Sequence, residues 1–120
     1  MELQRPLHTA ILVTNLERAE QFYGEVLGLE KVERSLKYPG AWYQLGDYQI
    51  HLMVDASIPS SLHNVEKWGR NRHIAFGVTN FEAAKAHLLA HHCPIQESTS
   101  GRAALFTQDP DGNVVELSQL

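Results

Sequence analysis

The sequence predicts an α+β domain made of two β-α-β-β-β modules, and an internal repeat is the main observation behind this prediction. Residues 8–23 and 73–88 are identical at seven of sixteen positions, at a constant offset of 65 residues. The same offset places residues 50–52 on residues 115–117. A fixed internal period indicates two copies of one supersecondary unit. Because the chain has only 120 residues, we expect one domain in which the copies share a core or a sheet.

The first copy begins with a strand over residues 7–13, which are mostly apolar or β-branched. Thr14 and Glu17 have the spacing of a capping box, which indicates the start of a helix. Apolar residues then recur at helical spacing until Gly28, where we expect the helix to end. Three further strands are predicted over residues 29–35, 41–45 and 48–54, the last two joined by a tight turn at Gly46-Asp47.

The second copy follows the same order. A strand over residues 73–78 precedes a second capping-box pattern at Thr79 and Glu82, and the helix runs to about His92, before Pro94. The remaining strands are predicted over residues 95–98, 103–108 and 113–119. The modules therefore span about residues 5–55 and 72–120 of a single domain, with residues 56–71 as a linker that has room for a short helical turn.

Composition and charge argue against three classes of protein, namely nucleic-acid-binding, membrane-spanning and secreted disulfide-bonded proteins. The net charge is −4 and the basic residues are scattered, so nucleic acid is not an expected partner. No apolar stretch is long enough for a membrane span, and the first residues lack the pattern of a secretory signal. The single cysteine, Cys93, excludes an internal disulfide, and a reducing cytoplasmic location is expected.

Two histidines begin the first strands of the two modules. Since side chains alternate across a strand, His8 shares a face with Ala10, and His73 shares a face with Ala75 and Gly77. The bulkier residues of both strands lie on the opposite face, which we expect to pack under the helices. The small neighbours leave open volume beside both imidazoles.

His51 and Glu116 occupy equivalent positions in the last strands of the modules, opposite apolar residues. All four side chains are thus expected on the sheet face that points away from the helices. If the two sheets curl around one concave space, the four side chains converge: His8, His51, His73 and Glu116.

Three imidazoles and one carboxylate suit one borderline divalent ion, namely Zn, Ni, Co, Mn or Fe(II), and argue against Ca or Cu(I). A single strand histidine is more often packed or hydrogen-bonded, and a carboxylate near a terminus is more often solvated. Repetition at one offset favours the metal site over these alternatives. His51 stays open, as a ligand, as a residue that supports a ligand, or as an ordinary side chain of the open face.

The sequence resembles the vicinal oxygen chelate superfamily, which includes glyoxalase I, extradiol dioxygenases, fosfomycin-resistance thiol transferases, methylmalonyl-CoA epimerase and bleomycin-binding proteins. Four segments show the resemblance: His8–Val13, Ala19–Leu29, Arg72–Phe76 and Asp109–Leu117. It implies paired β-α-β-β-β modules, a cupped mixed sheet of the glyoxalase/bleomycin-resistance type, and a divalent metal held by the four residues above. It also implies a homodimer whose subunits both contribute ligands.

Three positions depart from the pattern of glyoxalase I. His51 replaces a carboxylate, which leaves Glu116 as the metal-bound group able to shuttle a proton. Leu12 replaces an arginine that contacts glutathione, and Asp55 replaces a nearby asparagine. The resemblance therefore leaves open another thiol, or a substrate without one.

We hypothesise a metal-dependent lyase, isomerase or epimerase of the glyoxalase I type, acting on a small oxygen-chelating substrate with Glu116 as the catalytic base. Two alternatives remain: an Fe(II) extradiol-type dioxygenase that uses His8, His73 and Glu116, and a non-catalytic binder of a small molecule such as an antibiotic. Five side chains are candidates for lining the substrate site without a catalytic role, and the equal alternative for each is a packed aromatic or a rim charge: Trp42, Tyr43, Trp68, Arg72 and Arg102.

Overall fold

The computed structural model describes residues 1–59 and 62–120 and divides into two compact units, Met1–Ile58 and Pro59–Leu120. The α+β class and the repeated β-α-β-β-β order are confirmed. The predicted linker, residues 56–71, includes residues 60 and 61, which lie outside the described part of the chain. Across residues 1–59 and 62–120, no helix is both long and apolar enough to span a membrane.

The first unit is a four-stranded mixed sheet with one helical segment between its first two strands. Strand order is β1-β4-β3-β2, with β1 parallel to β4 and the other neighbours antiparallel. Helix α1 continues directly as a π-helical segment over Gln21–Val26. The elements are β1 (His8–Val13), α1 (Leu16–Glu20), β2 (Glu30–Val32), β3 (Gly40–Leu45) and β4 (Tyr48–Val54).

The second unit repeats this topology. Strand order is β5-β8-β7-β6, and β5 is parallel to β8. A 3-10 turn at Trp68–Arg70 precedes β5, where the sequence left room for a short helical turn. The elements are β5 (His73–Val78), α2 (Phe81–Ala90), β6 (Ile95–Glu97), β7 (Ala104–Gln108) and β8 (Val114–Gln119).

The helix side of each sheet is buried, as predicted, while β4 and β8 are also buried at His51 and Glu116 on the other face. On the helix side of the first sheet, Ile50 and Leu52 are at most 1% exposed, and on the second, Leu105 and Val115 are fully buried. Truncating one such side chain to alanine typically costs about 2–5 kcal/mol, because the cavity left behind adds to the lost transfer free energy. Each apolar face is thus the core of its unit, and the opposite face carries the polar residues considered below.

The predicted ends of the helices are partly wrong. The residues that cap α1 and α2 are Asn15 and Asn80, one position after the predicted threonines. Each asparagine is extended, and its side chain accepts a hydrogen bond from the backbone N–H three residues later. Asparagine caps at least as well as threonine, so the later residue of each Thr-Asn pair takes this position. Gly28 ends the first helical segment as predicted, with a φ of 75° that favours glycine.

We expect Asn80→Ala to lower the free energy of unfolding by about 1 kcal/mol, since an N–H at the start of α2 loses its acceptor. Thr79→Ala is the matched control, and we expect it to change stability by less than about 0.5 kcal/mol, as for other exposed substitutions. Urea denaturation followed by circular dichroism measures both. A larger loss for Thr79→Ala than for Asn80→Ala would contradict the assignment of the cap.

Candidate metal-binding pairs

The structure brings the four predicted residues together as two pairs, one in each unit. In the first unit, the rings of His8 and His51 are stacked, with centroids 4.0 Å apart and 15° between their planes. The parallel register pairs Ala10 with His51, which places both histidines on the face away from the helix. His8 is exposed at the start of its strand, whereas His51 is 7% exposed.

His51 lies within a column of stacked side chains that the sequence did not predict. Trp42, its neighbour on β3, covers the other face of the imidazole at 3.7 Å and 5° between planes. The guanidinium of Arg34 lies 4.0 Å from the centroid of the indole ring, in the geometry of a cation–π contact. The indole N–H donates a hydrogen bond of 3.0 Å to the hydroxyl of Tyr38. Both faces of the His51 ring are therefore covered.

One edge of the same ring is held by a chain of amide groups. The Nε2–H of His51 donates to Oε1 of Gln49 at 2.8 Å, and the amide nitrogen of Gln49 donates to Oε1 of Gln44 at 2.7 Å. Gln44 donates in turn to the backbone carbonyl oxygens of Gly46 and Tyr48. Because carbonyls accept only, this chain fixes the direction of every donor and assigns the proton of neutral His51 to Nε2.

The charge state of His51 follows from the same surroundings. Burial lowers the pKa of the imidazole, and the nearby His8 and Arg34 lower it further by electrostatic repulsion of its charged form. Neutral imidazole is the form that binds metals, and it is also the form that stacks on its neighbours without a cost in charge repulsion.

In the second unit, Nε2 of His73 lies 3.6 Å from Oε1 of Glu116. The parallel register pairs Ala75 with Glu116, so the two side chains share the open face, as predicted. The Nδ1–H of His73 donates to the backbone carbonyl of Asn71 at 2.7 Å, which directs Nε2 toward the carboxylate. A bond of this kind at the far nitrogen is usual for metal-binding histidines.

Glu116 is buried and well supplied with donors. Its Oε2 accepts from the Ser118 hydroxyl at 2.7 Å, and its Oε1 accepts from Nη2 of Arg102 at 3.4 Å. Burial acts to raise the pKa of Glu116, but the hydrogen bonds from Ser118 and Arg102 and the charges of Arg102 and His73 outweigh it, so the pKa is lowered. The carboxylate is therefore ionised at neutral pH.

Asn71 supports His73 through its backbone carbonyl, but two other partners share a simple sequence relation that the prediction missed. Gln49 and Ser118 each lie two positions from the side chain they support, in the same strand. Residues two apart in a strand point to the same face, so a polar residue at this spacing is the signal that could have identified them.

Two of the aromatic residues considered for the substrate site, Tyr43 and Trp68, have surroundings that the structure describes. Tyr43 faces the helix and is 2% exposed; burial and Glu20 raise its pKa to about 12. Trp68 donates its indole N–H to the Val65 carbonyl. Tyr43 is therefore a packed aromatic of the core, the alternative that the sequence left open for it.

Arg72 lies at the edge of an open cavity of about 490 Å³ at the start of β5, next to His73. Its other lining residues are Leu62, His63, Arg70, Asn71, Gly112 and Asn113.

In the described ranges, no group of three or more His, Cys, Asp and Glu side chains is arranged to hold an ion. The structure therefore shows pairs of donors, one pair in each unit.

Known proteins resemble this chain over nearly its whole length. A "Probable lactoylglutathione lyase" of Vibrio cholerae is 28% identical over 130 residues, which cover 99% of this chain and 93% of that protein. The trypanothione-dependent glyoxalase I of Leishmania major is 29% identical, with a TM-score of 0.76 and coverage of 98% of this chain and 87% of that one. A glyoxalase family protein from Bacillus anthracis, 22% identical, has the same fold, with a TM-score of 0.82 and coverage of 99% and 97%.

The family model of the Glyoxalase/Bleomycin resistance protein/Dioxygenase superfamily matches residues 5–117. This match includes both β-α-β-β-β units and all four candidate ligands, in agreement with the resemblance seen in the sequence. The chain belongs to the Glyoxalase/Bleomycin resistance protein/Dioxygenase superfamily.

Proposed function

We propose that the protein is a divalent-metal-dependent enzyme of the glyoxalase I type, a lyase or isomerase that acts on a small oxygen-chelating substrate. The observation that carries this proposal is the repetition of a donor pair on the open face of each unit. His8 and His51 in the first unit have the same positions in the strands as His73 and Glu116 in the second. The proposal requires the two pairs to share one ion, within one chain or across a homodimer.

The donor set fits a borderline divalent ion. His73 has one nitrogen anchored and the other facing Glu116, so its ring is oriented, and Glu116 is ionised, which is the state that metal binding needs. His8 supplies an exposed imidazole. His51 either adds a fourth donor or supports His8 without binding the ion. Zn, Ni, Co, Mn and Fe(II) are the candidates for imidazole with carboxylate.

An ion bound there would act as a Lewis acid that polarises two oxygen atoms of the substrate and acidifies the adjacent carbon. Glu116 is the group able to take the proton from that carbon and return it to the neighbouring one, because a carboxylate at this site is a base at neutral pH. Ser118 and Arg102 hold the carboxylate in place and in its ionised form. Nε2 of His73 lies 3.6 Å from Oε1 of Glu116, so these two residues would hold the ion together.

The relatives support this class of reaction and leave the substrate open. One is named a lactoylglutathione lyase and another a trypanothione-dependent glyoxalase I, so different thiols occur among similar proteins. By the resemblance of the sequences, Leu12 replaces the arginine of glyoxalase I that contacts glutathione, and Asp55 replaces a nearby asparagine. We therefore propose a hemithioacetal of another thiol, or a thiol-free oxo- or hydroxy-substrate, and a cytoplasmic enzyme.

A second candidate function is an Fe(II) ring-cleaving dioxygenase. The specific observation in its favour is that the ring of His51 is stacked on both faces and bonded to Gln49 through Nε2, whereas His8 and His73 are exposed and Glu116 is ionised. Two histidines and one carboxylate are the usual ligand set of non-haem Fe(II) oxygenases.

Metal analysis and two assays separate these functions. The purified protein is analysed for bound metal and for mass in solution, then stripped and reloaded with Ni, Zn, Co or Fe(II). Anaerobic isomerisation of hemithioacetals, prepared from a 2-oxoaldehyde with glutathione and with other thiols, supports the glyoxalase type. Oxygen uptake with catechols under Fe(II) supports the dioxygenase. A protein that binds no ion stoichiometrically under any of these conditions would contradict both and favour a non-catalytic binder.

We expect Glu116→Gln to lower kcat by at least about 100-fold at saturating metal, because the amide cannot accept the substrate proton. Circular dichroism should show an unchanged fold. Glu97→Gln is the matched control: Glu97 is exposed and pairs with Lys85, and the loss of its charge should leave kcat within about twofold. Full activity of Glu116→Gln would remove Glu116 from the role of base.

We expect Ser118→Ala to raise the pKa of Glu116, since it removes a hydrogen bond to the ionised form. The folded-state pKa of wild-type Glu116 lies below its unfolded value, so Glu116 contributes stability above the unfolded pKa of about 4.3, and this is lost as pH falls through the folded pKa. Metal-free Ser118→Ala should therefore be less stable than wild type at pH 7, and the difference should shrink toward pH 3.

The side-chain carboxyl ¹³C signal of Glu116, followed by NMR against pH, measures this pKa directly, and urea denaturation at both pH values measures stability. Ser100→Ala removes an exposed hydroxyl that bonds to Ser98, and it should leave the titration of Glu116 unchanged. An unaltered titration in Ser118→Ala would show that this hydrogen bond does not set the pKa.

A further inference from the structure

We propose that His51 does not bind the ion and instead positions His8. The ring of His51 is a flat stacking surface for the His8 imidazole, and this surface is called the plate below. The inference rests on the proposed function, because it concerns the same metal site. It reduces the protein ligands to His8, His73 and Glu116, and it assigns Trp42 and Gln49 the task of holding the plate.

The surroundings of the His51 ring are the first argument. His8 covers one face and Trp42 the other, and the rings are within 15° and 5° of parallel. Nε2 is bonded to Gln49 at the end of an amide chain that terminates on backbone carbonyls. An ion arriving from solvent reaches exposed His8 directly, whereas His51 is 7% exposed and, with Nε2 bonded to Gln49, has Nδ1 as its remaining donor.

The difference between the two exposed histidines is the second argument. His73 is oriented by the hydrogen bond from its Nδ1 to the Asn71 carbonyl. His8 has no such hydrogen bond to any residue that the structure describes, and Ala10 beside it on the open face is small. The stack on His51 is therefore the contact that restricts the imidazole of His8, and each copy of the repeat orients its first histidine in a different way.

The aromatic residues of the two units support the same division of roles. Trp42 lies parallel to His51 and is itself held by Tyr38 and Arg34. Phe106, the neighbour of Glu116 on β7, instead meets His73 edge to face at 84° and 5.5 Å. Glu116 thus has its carboxylate free of stacking, as a ligand needs, while His51 is enclosed as a support.

Replacing His51 by Phe or by Ala distinguishes the two possible roles of His51, a metal ligand or a stacking plate for His8. Phe keeps a flat ring between His8 and Trp42 but has no nitrogen, so we expect Zn affinity, measured by competition with a chromophoric chelator, to stay within about threefold of wild type. Ala removes the plate, and we expect affinity to fall about 10–100-fold, as for other residues that orient metal ligands. Equal large losses in both variants would identify His51 as a ligand and overturn the proposal.

Trp42→Leu tests the plate without touching any donor atom, and it applies even if His51→Phe does not fold. We expect Zn affinity to fall about tenfold, since the ring of His51 loses its outer support. Trp68→Leu is the control, because it removes another indole ring. The indole N–H of Trp68 bonds to the Val65 carbonyl and not to any of the four candidate ligands. Wild-type affinity in folded Trp42→Leu would contradict the role of the column.

Pulsed electron paramagnetic resonance on the protein loaded with one equivalent of Cu(II) counts the coordinated imidazoles directly. We expect two, His8 and His73; three would overturn the proposal. The measurement uses a His87→Asn, His91→Asn background, because these exposed histidines are neighbours on α2, with ring centroids 4.4 Å apart, and could capture Cu(II).

A last measurement keeps this inference distinct from the proposed function. If wild-type protein binds no ion stoichiometrically, the proposed function fails, but the plate can still be tested in the metal-free protein. The ring protons of His8 should be shifted upfield by the stacked ring in wild type and in His51→Phe, and this shift should disappear in His51→Ala. Identical His8 signals in all three proteins would show that His51 does not position His8.

Discussion

The parallel pairing of the first and last strands of each unit is the constraint on which the candidate site depends. It places Ala10 beside His51 and Ala75 beside Glu116, so that each donor pair lies on one face of its sheet. A slip of one residue in either register would turn one donor of a pair toward the helix. The apolar residues of the same strands oppose such a slip, because it would move buried side chains such as Leu52 and Val115 to the open face.

The two units use one backbone plan to make two chemically different pairs. In the first, the last-strand position holds a neutral imidazole enclosed between rings, and a chain of amides fixes its proton. In the second, it holds a carboxylate that is kept ionised by hydroxyl and guanidinium donors. The ionised carboxylate of Glu116 is the deprotonated state that metal binding requires, and the protein surroundings favour it before any ion is bound, whereas the neutral ring of His51 suits stacking.

The periodicity of the sequence was enough to predict the fold, because a strand's alternation and a helix's spacing are local properties. Parity likewise predicted the face on which His8, His51, His73 and Glu116 lie. The helix caps were missed by one residue, since a Thr-Asn pair offers two acceptable caps and only the backbone geometry decides between them. The stacked column escaped prediction because Arg34, Trp42 and His51 belong to different segments, and only the strand register makes them neighbours.

The contacts of Glu116 indicate which neighbour determines its state. Arg102 contacts Oε1 at 3.4 Å, the same oxygen that faces His73, and its side chain is 55% exposed. A half-exposed guanidinium is screened by solvent and ordered only weakly, so its pairing contributes little to stability. Ser118 bonds to the other oxygen at 2.7 Å from within the same strand, where the backbone fixes its position. Oε1 is thus the oxygen that can exchange partners, and Oε2 is the oxygen that holds the carboxylate in place while it does so.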